Sequence, residues 1–581
     1  MDVVETDVLV IGGGPVGLTA SALLAAYGVD AITVSKHAST SPNPRAHYIN
    51  QRTMEIFRNL GFEERVHEAG TPVSALGSIV WALSFAGREL ARKPAWGTGQ
   101  DRIGEYEATS PCGIWNVPQH FLEPVLLDAA REAGADIRFG TEAVELSAHE
   151  DHVLVTVRER QSGAERRIRA RYVIGADGAR STVAEQAGFE YELDTGVLNW
   201  AANVWLEADL TDFCAHRPGM LYWMHAPGAG FHSSSAWICV RPWTEWVMAL
   251  VYPSSRAEPH VDEETALAHA RRTIGDPSVD VRIKAINPWS VGAALAGDFR
   301  RGRVFLAGDS AHRHPPPNGL GINTGVQDAF NLCWKLAMVL AGTAGDGLLD
   351  SYRLERQPVA RAVIDRAMTS LADMDPLLAA FGVQHGQSAE EGWARLDALT
   401  GDGEIGGQRR RELYAALRLQ DGQFNGHNAE CGQYYRAGAV FPDDGAARAP
   451  EDYRQVHHHP RSLPGHPLPH AWVERGRTVV STIDIAGRGG FTVLTGLGGT
   501  AWASAARQAS ATLGIPVEVA NVDYQGEYHD VYGDWARVRD LDESGCLLVR
   551  PDRHIAWRAE HAGGDPARAL TEVLRGLLSR S

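Results

Sequence analysis

Three stretches of this 581-residue chain set glycines beside a carboxylate or a helix start, the pattern that holds a flat, phosphate-bearing ligand. The longest runs from Arg303 to Asn331, RVFLAGDSAHRHPPPNGLGINTGVQDAFN. Its apolar run Val304-Phe305-Leu306-Ala307 is predicted to be a buried strand, and the run stops at Gly308-Asp309, leaving a carboxylate at the strand's end, placed to meet a polyol. Pro315, Pro316 and Pro317 then stiffen the backbone and remove amide donors, while Gly319 and Gly321 let the main chain approach a flat ligand closely. From Thr324 the pattern turns helical, with Val326, Phe330, Leu332, Leu336 and Val339 on one apolar face. A helix N-terminus, with the amides from Gly319 through Ile322 to Asn323, thus faces whatever the glycines touch and favours negative charge there.

The second stretch, Gly12-Gly13-Gly14-Pro15-Val16-Gly17, lies between the apolar run Val8 to Ile11 and a helical pattern with Ala20, Leu23, Leu24 and Tyr27. Strand, glycine loop and helix in this order form a dinucleotide-binding unit, with Gly12, Gly14 and Gly17 as its glycines. Such a loop alone also occurs as a plain turn in α/β proteins, but a third stretch accompanies it. Tyr172 to Ser181, YVIGADGARS, reads as another strand ending in a turn at Asp177-Gly178.

The three motifs, in this order and spacing, resemble the flavin-dependent aromatic hydroxylases, the single-component monooxygenases, over nearly the whole chain. PRAHYINQRTMEIFRNLG (Pro44 to Gly61) and GDSAHRHPPPNGLGIN look most like the phenol and dichlorophenol hydroxylases among them. The resemblance implies FAD as cofactor, NADPH or NADH as co-substrate, and O2 delivered to a small aromatic substrate through a flavin C4a-hydroperoxide. It also implies a Rossmann-like α/β FAD-binding domain, an inserted mixed β-sheet substrate domain and a thioredoxin-like C-terminal domain. Gln119 stands where the resembling enzymes set a glutamine against the ribityl chain. One departure concerns the second strand, Ala31 to Val34, which is followed by Ser35-Lys36 where dinucleotide folds commonly carry an acid for the ribose hydroxyls. Arg45, whose fork can reach a phosphate or the flavin edge, is expected to compensate.

On that resemblance the protein must keep the flavin ring dry, stabilise its negative pyrimidine end and make the substrate electron-rich. Pro315 and a tryptophan-rich sheet suit the first task, and the Gly319 to Asn323 amides the second. The third calls for a base near a phenolic hydroxyl, because a phenolate is the stronger carbon nucleophile, with the new hydroxyl ortho to the old. His47 is the candidate base, with Arg241 and Tyr222 as further candidates to orient the substrate oxygen. A flavin-dependent halogenase would carry a Trp-x-Trp-x-Ile-Pro segment, which is not found here, and a non-catalytic flavin-binding protein would need no base.

The elements that must position these groups come in separated pieces. Residues 1–70, 114–195 and 296–380 are expected to form the FAD-binding domain, 71–113 and 196–295 the substrate sheet, 381–431 a linker of helix and loop, and 432–581 the thioredoxin-like tail. The sheet is rich in aromatic residues, among them Trp205, Tyr222, Trp223, Trp237 and Trp246, and only a minority of them, not singled out by the pattern, is expected in the pocket. Hydrophobic content of 44% and charged content of 22% suit a globular protein, and a net charge of −17 argues against nucleic acid as partner. Cys112, Cys214, Cys239, Cys333, Cys431 and Cys546 lack metal or redox spacing and read as free thiols, and the run His457-His458-His459 as a surface loop. No apolar run approaches a membrane span, and the first strand begins too early for a signal peptide. A cytoplasmic homo-oligomer without a metal site is expected.

Overall fold

A computed structural model describes residues 3–227, 234–255, 258, 260–384, 387–441 and 456–580. Residues 385–386 of the segment expected as a linker and 442–455 of the tail lie outside the described residues.

The first strand, Val3–Ile11, is parallel to Ala31–Ser35 on one side and to Glu165–Gly175 on the other, and Val304–Leu306 is parallel to Glu165–Gly175. Val8, Leu9 and Val10 are fully buried, as expected of a parallel strand covered on both faces. Register decides what happens at the strand ends: Ile11 pairs with Val34 and with Gly175, and Gly175 pairs with Leu306. All four strands therefore stop on one edge of the sheet, and the glycine loop, Ser35, the Asp177 turn and Asp309 meet there although some 300 residues separate them. Ligands of open α/β sheets lie at this carboxyl edge.

The second sheet has seven strands, ordered Arg282–Val291, Asn199–Glu207, Glu245–Pro253, Ser235–Arg241, Gly219–Met224, Ser78–Ala82 and Glu89–Pro94. Only the Gly219–Met224 and Ser78–Ala82 pair is parallel. Alternation along the strands gives the sheet two unlike faces. Tyr222, Trp237, Met248 and Val204 lie opposite one another in register and pack with Phe85 and with Ala266, Ala270 and Ile274 of the helix Glu263–Ile274. Trp81, Trp223, Ala236, Ala249 and Asn203 share the other face. That face looks toward the FAD-binding sheet: Asn43 Nδ2 donates to Asn287 Oδ1 at 3.3 Å, and Asn287 is paired with Asn203.

The segment expected as a linker contributes core instead. Leu396, Leu399, Leu413, Ala416 and Phe424, carried mainly on helices Ala389–Asp397, Glu404–Leu419 and Asp421–Phe424, join the apolar cluster of Trp237 and Trp246. The tail holds a four-stranded mixed sheet with Phe491–Thr495 inside it, backed by helices Thr500–Leu513 and Pro566–Leu577. It is stapled to the helices Gly321–Leu340 and Gly347–Ala372 by buried charges. Lys335 Nζ lies 2.7 Å from Glu355 Oε2, both Arg550 terminal nitrogens reach the Glu355 carboxylate at 2.7 and 2.8 Å, and Arg550 also pairs with Asp552. All four side chains are essentially inaccessible. Cys431 and Cys546 are both buried and free, in different surroundings: Cys546 within the tail's core, Cys431 beside Gln51.

Candidate active site

The glycine loop is shaped by protein packing at two positions and left open at the third. Gly12 has φ +124° and a Cβ there would overlap the Ala176 carbonyl, while a Cβ on Gly17 would overlap the Gly12 carbonyl. A Cβ on Gly14 would meet nothing within 4 Å. Gly14 also caps the helix Pro15–Ala26, whose first turn has neither a side-chain cap nor an acidic residue. Open space in front of uncapped amides fits a pyrophosphate.

Asp309 sits in the turn after Val304–Leu306, exposed, with no hydrogen bond or ion pair to the described residues, so both oxygens can accept from ribityl hydroxyls. The turn beneath it is rigid: Gly308 N donates to Asp328 Oδ2 at 3.0 Å, and Asp328 also meets His312 Nε2 at 2.6 Å and Arg356 Nε at 2.8 Å. Burial would raise the Asp328 carboxyl, but His312 and Arg356 outweigh it and hold the group below its usual range.

The proline and glycine loop continues this wall. Pro315 is buried, and Gly319, at φ +66°, lies with its Cα against the Tyr48 ring. Gly321 and Ile322 begin the helix Gly321–Leu340 three residues earlier than the Thr324 pattern predicts, partly open and without a side-chain cap or an acid in the first turn. His314 Nδ1 donates to Pro315 O at 2.7 Å, and its Nε2 is buried without a partner. An orphaned acceptor beside orphaned helix amides suits the polar edge of a bound flavin.

Several expected cofactor contacts turn out to hold the protein itself. Asp177 accepts from Ser181 Oγ at 2.6 Å, Ser310 Oγ at 3.0 Å and Val183 N at 3.1 Å, and Gly178 N donates to Ser310 Oγ at 3.1 Å. This pair fastens the Asp309 turn to the sheet. Asn323 is fully buried, its Oδ1 accepting from Asn50 N and its Nδ2 donating to the Tyr48 and Gly319 carbonyls. Gln119 Nε2 donates to Glu123 Oε1 at 2.6 Å, which leaves its own Oε1 for a ligand. Ser35 is buried against Gly13, whereas Lys36 and Arg45 are exposed with side chains unpaired among the described residues.

Of the three candidate catalytic residues, His47 is the one whose ring is fixed by a hydrogen-bond chain with one nitrogen left unpaired among the described residues. Its Nδ1 lies 2.9 Å from Asn116 Oδ1, and Asn116 Nδ2 donates to Cys239 O at 2.9 Å. The second bond fixes which end of the amide faces the ring, so Nδ1 carries the hydrogen and Nε2 keeps its lone pair, with no partner among the described residues. Burial pushes the imidazole down to about 4, against the opposing pull of Asn116, so it is neutral near pH 7. The strand Tyr48–Ile49 positions it by pairing with Trp115–Asn116. Asn116 carries no signal of its own in the sequence; strand pairing alone brings it to His47.

Tyr222 is corrected. It is fully buried among Phe85 and Trp246 on the sheet's core face, and its hydroxyl donates to Arg217 O and accepts from Gly219 N. Its one hydroxyl hydrogen is spent and the side chain is fully buried, so no substrate reaches it. Arg241 ends its strand exposed, paired with Glu245 at 3.1 Å and laid over Phe121, on the wall of an open cleft of about 890 Å³. The other sheet face holds what sequence could not single out. Leu221, Trp223, Ile238, Ala249 and Asn203 sit in central strands yet are only partly buried, which marks space in front of them. The histidine run is tied down as well, with His457 Nδ1 at 2.8 Å from Glu105 and His458 N donating to the same carboxylate.

The chain matches the family model described as FAD binding domain over residues 5–367 and that described as aromatic-ring hydroxylase, C-terminal, over residues 461–581. It is 42% identical to 2,4-dichlorophenol 6-monooxygenase of Delftia acidovorans, covering 98% of both chains, and 38% identical to phenol 2-monooxygenase of Pseudomonas sp. (strain EST1001), covering 99% of this chain and 93% of the other. The crystal structure of the flavin-dependent monooxygenase PieE with FAD and substrate superposes with a TM-score of 0.96 at 45% identity over the whole of both chains. That of aklavinone-11 hydroxylase with FAD and aklavinone gives 0.79 at 30%, also over both whole chains. With the loops gathered at the sheet's carboxyl edge, the uncapped helix starts and the unpaired Asp309 all suited to FAD, the chain belongs to the FAD-dependent aromatic-ring hydroxylases.

Proposed function

We propose that this protein hydroxylates a phenolic or hydroxypyridine-type compound ortho to its hydroxyl, with NADPH or NADH as reductant and O2 as oxygen source. The observation that carries the reading is the chain from Cys239 O through Asn116 to His47, which leaves one bare, oriented imidazole nitrogen.

FAD, when bound, accepts the hydride and supplies the activated oxygen. The chain's own residues do the rest. Gly14, the amides opening both helices, Asp309 and the free Gln119 oxygen hold the cofactor, with Lys36 and Arg45 at its charged, solvent-facing parts. The half-buried apolar patch around Leu221 and Ile238 receives the ring and keeps water from it. His47 Nε2 accepts the hydrogen of the substrate hydroxyl. A phenol near pKa 10 and an imidazole near 4 differ by about 6 units, roughly 8 kcal/mol, so His47 does not hold a resident phenolate. It takes the proton as the ring donates electrons, when the hydroxyl becomes far more acidic.

The six cysteines, all buried and free, suit a reducing compartment, the cytoplasm. Helices Ala389–Asp397 and Glu404–Leu419 expose Trp393, Ile405 and Tyr414, and self-association through them completes the reading. The deciding experiment incubates the FAD-loaded protein with NADPH or NADH, 18O2 and a panel of phenols and hydroxypyridines. The reading expects 18O in an ortho product and faster nucleotide oxidation with substrate. Oxidation indifferent to every aromatic compound would instead indicate a flavin-binding protein without this activity.

A further inference from the structure

On the pocket face of the sheet, a small cavity lies between Trp81 and Trp223 on one side and the helices Met374–Ala380 and Asp421–Phe424 on the other. Its walls are apolar, with Leu377, Leu378 and Phe424, and it leaves about 10 Å³ free, near the room one water or one oxygen atom needs. Two polar side chains that line it are unsatisfied. His225, 2% exposed, binds Ser234 Oγ through Nδ1 at 2.9 Å, and its Nε2 is buried without a partner. Gln423, 6% exposed, has a buried Oε1 without a partner. Buried polar groups are nearly always paired, so two orphans on side chains that line one oxygen-sized space point to a group that belongs there.

The cavity lies on the same sheet face as the patch proposed to receive the ring. Trp223 shares its sheet face with the half-buried Leu221, and the Gln423 and Gly422 carbonyls accept from Asn318 Nδ2, inside the proline and glycine loop. Ser370 Oγ donates to Asn318 Oδ1 at 2.7 Å and fixes that amide. The wall bearing Gln423 is therefore tied to the loop that meets the cofactor.

We propose that this cavity is a specificity subsite for a second oxygen of the substrate, a ring hydroxyl apart from the one that meets His47, which would donate to Gln423 Oε1 and accept from His225 Nε2. The proposal rests on the aromatic-hydroxylase reading. It makes the preferred substrate a dioxygenated ring rather than a simple phenol. A site built to hydrogen-bond a hydroxyl discriminates strongly against an analogue without it, because its own groups are then left unpaired.

The test uses the FAD-loaded enzyme and phenols that differ only in carrying methyl or hydroxyl at each ring position. Affinity is read from the change in flavin absorbance on binding, which needs no turnover, and kcat/KM from product. At one ring position at least, the hydroxyl compound should be favoured by about tenfold or more. Gln423→Met and His225→Phe should each cut that preference to within about threefold while the methyl compound binds as before. No preference at any position in the wild-type enzyme, or a preference that survives both substitutions, overturns the subsite. If the hydroxylase reading fails instead, no phenol yields product although the binding preference persists. Should one variant fail to retain FAD, the other and the wild-type series decide.

Discussion

The Nδ1 atom of His47 stands 2.9 Å from Oδ1 of Asn116, an amide whose own nitrogen is spent on the Cys239 carbonyl. An asparagine here fixes the tautomer without adding charge, so the ring stays neutral. Because burial brings it down to about 4, the pH profile of kcat/KM should stay flat from neutrality down to about 5 and fall only as Nε2 takes up a proton below that. Asn116→Asp sets a carboxylate against Nδ1, favours the imidazolium and should move this acid limb upward by a unit or more. A limb that stays in place would detach Asn116 from the titrating group.

Asp309 is the carboxylate left unpaired at the carboxyl edge. Asp309→Ala should weaken FAD by about 1–3 kcal/mol, the range for leaving a hydrogen-bond partner unsatisfied, while the neighbouring His312, Asp328 and Arg356 cluster keeps the turn in shape. Equilibrium dialysis against FAD measures this, and unchanged affinity would move the ribityl chain elsewhere.

Stability should peak near neutral pH for two opposite reasons. Burial holds His225 near 3 and His554 near 4 in the folded protein, so the unfolded chain binds protons that the folded one refuses as pH falls below about 6.5. Stability from these groups is lost from there down to about 4 for His554 and about 3 for His225. Glu430, which accepts from the Tyr48 hydroxyl at 2.8 Å, is raised to about 8 by burial. Its contribution is complete below 4.5 and is lost as pH rises to about 8. Glu430→Gln keeps an acceptor for Tyr48 and removes the titration. Its Tm should match the wild type near pH 5 and exceed it at pH 8 and above, where the relief reaches a few kcal/mol. Equal Tm values across that range would show that the carboxyl is not neutral in the fold.

The tail is fastened by charge, not by thiols. Arg550→Met takes the guanidinium from Asp552 and leaves Glu355 with Lys335 alone in the interior, and should cost about 3–5 kcal/mol. Replacing Cys431 and Cys546 together with serine should leave the product formed per nucleotide oxidised unchanged. A loss of that ratio in a folded, FAD-loaded double variant would mean that the thiols act in turnover.

The parts of the site legible in sequence are those that carry their own local signal. Gly12 to Gly17, the Asp177 turn and the stretch from Gly308 to Gly321 each announce a strand end and a helix start, and parallel register then gathers them on one edge. The face of the aromatic sheet was not legible. Tyr222 and Trp223 are adjacent and equally suited to a pocket, and only the helix Glu263–Ile274 packing on one side sends Tyr222 into the core. Asn116, His225 and Gln423 have no motif, because their roles arise from strand pairing and from neighbours far along the chain. The 381–431 segment read as a linker because its first half, near Gly382 to Gly407, is rich in Gly and Gln, yet Leu396, Leu413 and Phe424 join the sheet's core.

The most direct measurement is product formed per NAD(P)H oxidised, for wild type and His47→Ala, across phenols of graded pKa. Nucleotide oxidation needs no proton from the substrate, so it should survive within about an order of magnitude in the variant. Oxygen transfer should fail for phenols near pKa 10, with hydrogen peroxide released instead, and recover for phenols already ionised at neutral pH. A general base contributes about 10²–10⁴-fold to its step, so the ratio of variant to wild-type coupling should climb steeply as phenol pKa falls. A ratio independent of phenol pKa would contradict the assignment of His47 as the proton acceptor.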